Sequence, residues 1–204
     1  MSLYTSPMSY HIYTTPGFIL ESRNVGEANK FFSVFTKELG LIGVTAQGVR
    51  LQKSKLRSHL NVFSEVVVSL VRGKEVWRLT SATGIRSFKE MQNYSLELSY
   101  LYARILLLLK RLLAGEEKNE TLFILLGKSF DFARDAGLEG SEQQRFEEVL
   151  VVRILHNLGY IGSSKELTPF TESILWSMDI LTIMTTVQKS AREAINKAFK
   201  ESHL

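Results

Sequence analysis

The stretch Val62-Phe63-Ser64-Glu65-Val66-Val67-Val68-Ser69-Leu70-Val71, then Arg72-Gly73-Lys74, then Glu75-Val76-Trp77-Arg78-Leu79-Thr80-Ser81-Ala82-Thr83 decides the class of fold. The first run is β-branched over most of its length, and β-branched and aromatic side chains favour a pleated, half-buried strand. Gly73 between two basic residues is a tight-turn signal, and the second run returns as a strand. Upstream the same grammar recurs. Tyr10 to Ser22 is rich in Tyr, Thr, Ile and Phe, with Pro16-Gly17 inside it, and Asn24-Val25-Gly26-Glu27 is a turn signal. Asn29 to Lys37 alternates, with Phe31, Ser33, Phe35 and Lys37 on one face and Phe32, Val34 and Thr36 on the other. Glu38 to Gly40 turns the chain, and Leu41 to Gln47 reads as a third strand. Five short strands in about 80 residues suit a small barrel. An open sheet or an SH3-like barrel satisfies the same periodicity.

Downstream of Gly84 the period changes to that of a helix. Ser87 and Glu90 have capping-box spacing, and a helix is predicted from Asn93 to Ala114, ending at Gly115. A second runs from Asn119 to Ala136 with Gly137 behind it, and a third from Glu142 to Leu158, capped by Ser141 with Gln144 and closed by Gly159. Thr168-Pro169 places Thr at N-cap and Pro at N1. Helical pattern continues to about His203, with the β-branched Thr182–Val187 stretch as a possible break. The hinge between the two parts falls at Gly84 to Glu90.

Charge divides along the same line. Residues 1–89 hold 12 Lys and Arg against 5 Asp and Glu, a net of +7, and the remainder is −3. Such asymmetry points to a polyanionic partner for the first part. No cysteine is present, which removes disulfides, thiol nucleophiles and every cysteine-based zinc site. The N-terminal residues show no signal peptide, and Leu101–Leu113 is interrupted by Arg104, Lys110 and Arg111. The expectation is a soluble cytoplasmic protein with no membrane partner.

Enzymatic constellations are missing. There is no phosphate loop or dinucleotide fingerprint, and His11, His59, His156 and His203 are scattered. No cofactor, metal or catalytic residue is expected. Glu147-Glu148 reads as a solvated helix face, and Asp131 and Asp135 around Arg134 as surface charge. The informative segment is Gln47 to His59, with Arg50, Lys53, Lys55 and Arg57 and no acidic residue from Glu38 to Glu65. A basic loop between strands can follow a phosphate backbone and release its counterions. Ser54 adds a hydroxyl that can contact phosphate. The hairpin carrying Arg72, Lys74 and Arg78, with Trp77 beside them, is a second contact surface. Of the aromatics, Phe31 and Phe32 point to opposite faces, so one of the two is a candidate to stack a base. In the helical half, Lys110, Arg111, Lys118 and Lys128 lie near Leu112, Leu113, Leu122 and Phe123, a mixture that suits an acidic, aromatic-ended tail.

These segments carry a resemblance. Tyr13-Thr14-Thr15-Pro16-Gly17-Phe18-Ile19-Leu20 followed by Asn24-Val25-Gly26-Glu27-Ala28-Asn29 resembles the opening of the RecO family of bacterial recombination mediators. Phe35-Thr36-Lys37-Glu38-Leu39-Gly40, the run from Gly48-Val49-Arg50 through Lys53, Ser54 and Lys55 to Leu56, and Arg72-Gly73-Lys74 are similar to further family motifs, in order. The likeness covers residues 10–89 well and the helical half only in general. It implies an α+β chain: a five-stranded OB-type β-barrel over 1–86, then an all-α helical domain over 87–204. It also implies binding of single- and double-stranded DNA, strand annealing, and help in loading recombinase onto strands coated by single-stranded-DNA-binding protein (SSB). The partners implied are RecR and the acidic C-terminal tail of SSB. An RNA-binding module or a helical protein-interaction scaffold are the alternative readings. Two departures stand out. Family members often carry a four-cysteine zinc site, which this chain lacks where Gly159–Lys165 would begin it, so a shortened, zinc-free variant is expected. Asn29 replaces the aspartate common in the first turn.

Overall fold

The computed structural model describes residues 11–202. Tyr10, Met1–Ser9 and His203 therefore lie outside the described residues. Five strands, β1 (Ile12–Val25), β2 (Asn29–Thr36), β3 (Gly40–Ala46), β4 (Glu65–Arg72) and β5 (Trp77–Arg86), close into a barrel in the order β1-β2-β3-β5-β4. All neighbours are antiparallel except β3 and β5, whose short parallel pairing, Val44 opposite Trp77 and Thr45 opposite Arg78, shuts the barrel. An open sheet is thereby excluded, and the OB-type barrel followed by helices is the observed architecture.

Alternation works as read. Phe32 and Val34 of β2, Ile42 and Val44 of β3, and Val66, Val68 and Leu70 of β4 fill the interior, while Phe31 and Ser33 face out. The boundaries shift for local reasons. β4 begins at Glu65 rather than Val62, because Phe63 takes a left-handed backbone (φ 64°) and its N–H donates to the Ile19 carbonyl. A non-glycine there is uncommon. A register shift between Ile19 and Glu21 bends β1 beside it, which is how a strand turns a barrel corner.

Two compact units emerge from the contacts. The first comprises the chain up to Phe88 together with Gly115–Lys118, and the second Lys89–Ala114 with the chain from Asn119. The short segment Gly115–Lys118 thus belongs with the barrel. Leu41 N–H donates to the Gly115 carbonyl, and Gly40 (φ 70°) faces the Glu117 backbone so closely that a Cβ has no room.

The second unit holds α1 (Phe88–Tyr94, whose first residue counts with the barrel), α2 (Leu96–Leu112), α3 (Glu120–Ala136), α4 (Ser141–Asn157), α5 (Thr168–Thr171) and α6 (Met178–Glu201). Four expectations need correction. The helix predicted over Asn93–Ala114 is interrupted at Ser95, which is extended (φ −157°) and caps α2 by accepting from Leu98 N–H. The helix predicted from Thr168 is a four-residue turn, and the chain restarts at Ser177, which caps α6 through Ile180 N–H. α6 then runs through Thr182–Val187 unbroken. The hydroxyls of Thr182 and Thr185 bond back to carbonyls four residues earlier, so β-branching does not end the helix. Ser141 does not cap α4 either; Gly140 is the cap residue, and the Ser141 hydroxyl accepts from Arg145.

Packing in this unit centres on Tyr102 of α2. Its ring meets Phe130 edge-on at 3.7 Å between centroids, and its hydroxyl donates to the Ser129 carbonyl at 3.1 Å. α4 is the central helix, touching α2, α3, α5 and α6. No helix among the described residues is long and apolar enough to cross a membrane.

Candidate nucleic-acid interface

The Gly48–Leu60 loop alternates anchors and charges. Val49 and Leu60 are buried in the barrel core and Leu56 packs against it. Between them Arg50, Lys53, Lys55 and Arg57 are exposed, and Ser54 is half-buried. Successive turns hold the loop: Leu51 N–H donates to Gly48, Ser54 N–H to Leu51 and His59 N–H to Leu56. A chain of turns pinned at three apolar points keeps the lysines and arginines pointing outward.

The loop is tied to the β1–β2 turn. The Arg50 guanidinium donates to the Gly26 carbonyl at 2.8 Å and its backbone N–H to the Ala28 carbonyl. Asn29 Oδ1 accepts from Gly48 N–H at 2.9 Å, so the residue that replaces aspartate is a loop fastener. Between turn and loop lies a cleft of about 360 Å³ lined by Asn24, Lys30, Val49, Arg50, Arg57 and Leu60. Its three cations face no acidic lining residue. Lys30 was not singled out from the sequence; its place at the start of β2, where the barrel opens, brings it to the cleft, and strand alternation alone gives no such signal.

The Arg72–Lys74 hairpin is organised differently. Arg72 binds both carboxylate oxygens of Glu116, at 2.7 and 2.6 Å, and stacks over the Trp77 ring at 4.8 Å. Trp77 is in the barrel core, only 4% exposed, with its indole N–H donating to Glu116 at 3.3 Å. It offers no face for a base. Lys74 and Arg78 are exposed, and no carboxylate partner is found for either among the described residues.

The outer sheet face answers the question left by the two adjacent phenylalanines. Phe32 is 1% exposed and belongs to the core. Phe31 faces out beside Arg23, whose guanidinium lies 4.6 Å from the ring centroid.

The four basic residues named in the helical half fall on different elements and in different units. Lys110 and Arg111 lie in the last turn of α2, and Lys128 is exposed on α3. Lys118 belongs to the barrel unit, where it pairs with Glu38 at 2.8 Å. Leu112, Leu122 and Phe123 are buried core residues rather than an open apolar surface. Glu147-Glu148 also departs from the solvated face expected. Adjacent residues on a helix point about 100° apart. Glu147 therefore pairs with Arg104 at 2.7 Å, while Glu148, 9% exposed, accepts from Arg192 and Gln188. Burial leaves Arg153 almost without solvent, and its Nε and Nη2 donate to the Phe170 and Leu175 carbonyls while Trp176 covers it at 4.4 Å. Desolvation pushes its guanidinium down to about 10. Nothing in the sequence marked Arg153, since an arginine in an amphipathic helix reads as exposed. No group of three His, Cys, Asp or Glu able to hold a metal occurs among the described residues.

Comparison with known proteins agrees with this architecture. The family "Recombination protein O N terminal" matches residues 8–88. The chain is 36% identical over 116 residues to the DNA repair protein RecO of one Dehalococcoides mccartyi strain, covering 57% of this chain and 46% of that protein. It is 31% identical over 156 residues to that of a second strain, 76% of this chain and 60% of the relative. With the RecO of Halalkalibacterium halodurans it shares 29% over 133 residues, 65% of this chain and 52% of the other. The chain spans about half to three-fifths of the length of these relatives. Residues 8–88 thus match the RecO N-terminal domain, and the chain is similar to the DNA repair protein RecO over about three quarters of its length without a single cysteine of its own.

Proposed function

We propose that this chain binds single- and double-stranded DNA through its barrel and serves DNA repair and homologous recombination as a mediator rather than as an enzyme. In this role it promotes annealing and assists the loading of recombinase onto SSB-coated strands, in contact with the SSB tail and RecR. One observation carries the reading. The loop cations Lys53, Lys55 and Arg57, and Lys30 in the cleft, are left without carboxylate partners among the described residues, on a loop held rigid by Val49, Leu56 and Leu60. Such cations cost self-repulsion in the free chain and are suited to neutralise phosphates. The names of the relatives, DNA repair protein RecO, support the repair context.

Salt-titrated binding to a single-stranded oligonucleotide and to a duplex of the same sequence tests the reading. Affinity for both should fall steeply and linearly on a logarithmic scale as salt rises. Absence of binding at low salt, or binding indifferent to salt, overturns it. Competition with RNA of equal length decides between DNA and RNA, and a pull-down with the SSB tail peptide tests the mediator role.

A further inference from the structure

We infer that the outer face of β1, β2, β3 and β5 is a single-strand-selective platform on which Phe31 stacks one unpaired base, flanked by Arg23 and Arg78. The inference rests on the DNA-binding reading above and adds which strand form this face recognises and by which residue.

Register places the parts. Arg23 lies opposite Phe31, Phe31 opposite Thr45, and Thr45 opposite Arg78, so these four side chains form one outward row across four strands. The row holds one aromatic ring between two arginines. With strands about 4.8 Å apart, Arg23 and Arg78 stand roughly 14 Å from each other. That distance leaves room for one stacked nucleotide and the sugar-phosphates on either side.

Gly43 gives the ring its posture. A Cβ at Gly43 would stand 2.7 Å from Phe31 Cζ and 3.0 Å from Cε2, closer than side-chain carbons approach. The ring therefore leans over bare backbone. Glycine inside a strand weakens the sheet unless it permits such a close approach. Phe31 contributes nothing to the barrel interior, which Phe32 and Val34 already fill. Its ring is instead covered by the exposed Arg23 guanidinium, for which no acidic partner is found among the described residues. In the free chain the arginine supplies a cation–π cover of modest strength at an exposed site. On binding, a base takes that ring face and the guanidinium turns to the adjoining phosphate. Arg78, exposed at the other end of the row, takes the next one.

Strand form follows from chemistry. Bases in a duplex are stacked on one another and hide their faces, so an aromatic platform engages unpaired nucleotides. The basic loop reads phosphates and accepts either form.

The experiment compares the full chain with Phe31→Ala, Phe31→Trp and Gly43→Ala, by fluorescence anisotropy on oligothymidylate and on a duplex of equal length. Stacking is worth a loss of about 5- to 150-fold on truncation. Phe31→Ala should therefore weaken single-strand binding by that factor, leaving duplex affinity and both salt slopes unchanged. Phe31→Trp should keep single-strand affinity, and its added indole emission should be quenched by oligothymidylate beyond any change in the parent. Gly43→Ala, which keeps Phe31 but displaces its ring, should reproduce part of the loss. Should Phe31→Ala lower the melting temperature, the emission of Phe31→Trp decides the matter alone. Single-strand affinity of Phe31→Ala equal to the parent, equal loss for both DNA forms, or an unquenched Trp in Phe31→Trp overturns the inference and leaves the DNA-binding reading standing. Failure of the parent chain to bind either form overturns both.

Discussion

Several arginines of the helical unit and several basic side chains of the barrel are used in contrasting ways. In the helical unit Arg104 is bound to Glu147, Arg192 to Glu148, Arg134 to Asp131 and Asp135, and Arg153 to two carbonyls. In the barrel no carboxylate partner is found among the described residues for Lys30, Lys53, Lys55, Arg57 or Arg78, and Arg50 donates to a carbonyl. Closed cations support the fold and contribute little field outside it. Open ones create a positive potential that an anionic polymer can collect. The contrast teaches that net charge is a poor guide to a binding surface, and that what each cation is bonded to is a better one.

Three changes break or sharpen that contrast. The largest effect is expected from replacing Arg50, Lys53, Lys55 and Arg57 together with alanine. At about 0.7 per single-strand phosphate contact, the salt slope should drop by roughly 3, and affinity near 0.1 M salt by several hundred-fold. Urea melting should change little, because the anchors Val49, Leu56 and Leu60 remain. Unchanged affinity would mean that the open cations are idle.

Arg153→Met should do the reverse. It strips the Phe170 and Leu175 carbonyls of their donor, which costs about 1–3 kcal/mol for groups left unsatisfied, partly offset by removing a desolvated charge. Urea melting should register that loss while DNA affinity stays put. The pH dependence has a definite sign. The fold lowers the pKa of this cation to about 10, so its charged form is disfavoured in the folded state and that penalty is relieved only as pH rises above about 10. Stability between pH 6 and 8 should therefore owe no slope to Arg153. A difference in slope between Arg153→Met and the parent over that range would contradict this.

Glu116→Gln is the smallest and most discriminating change. Arg72 is a barrel cation that behaves like one of the helical unit, closed by Glu116 with both side chains nearly half exposed. Losing an exposed pair costs about 0–1 kcal/mol. Opening Arg72 should steepen the salt slope by up to about 0.7. An unchanged slope would show that Arg72 faces away from the bound strand.

Sequence by itself determined what depends on near neighbours in the chain. Period-two alternation in Asn29–Thr36 assigned Phe32 and Val34 to one side and Phe31 to the other, and the barrel kept that division. The change of period after Gly84, the acid-free basic loop, the absence of cysteine and the ordered motifs were likewise legible, because each is a property of a short window. Helix ends were read less well, since Ser95 and Ser177 interrupt patterns whose apolar spacing continues across them. Only the tertiary structure decided what depends on residues far apart. The parallel meeting of β3 with β5 closed the barrel and put Trp77 inside it. Cross-strand register set Phe31 against Arg23 and over Gly43. Glu116, 44 residues beyond Arg72, closed that arginine. Glu148 and Arg153 were buried by neighbours on other helices and loops, Gln188 and Arg192 among them. The physical reason is that side-chain direction repeats with the local backbone, whereas a charge is open or closed according to groups that the sequence separates and only folding brings within reach.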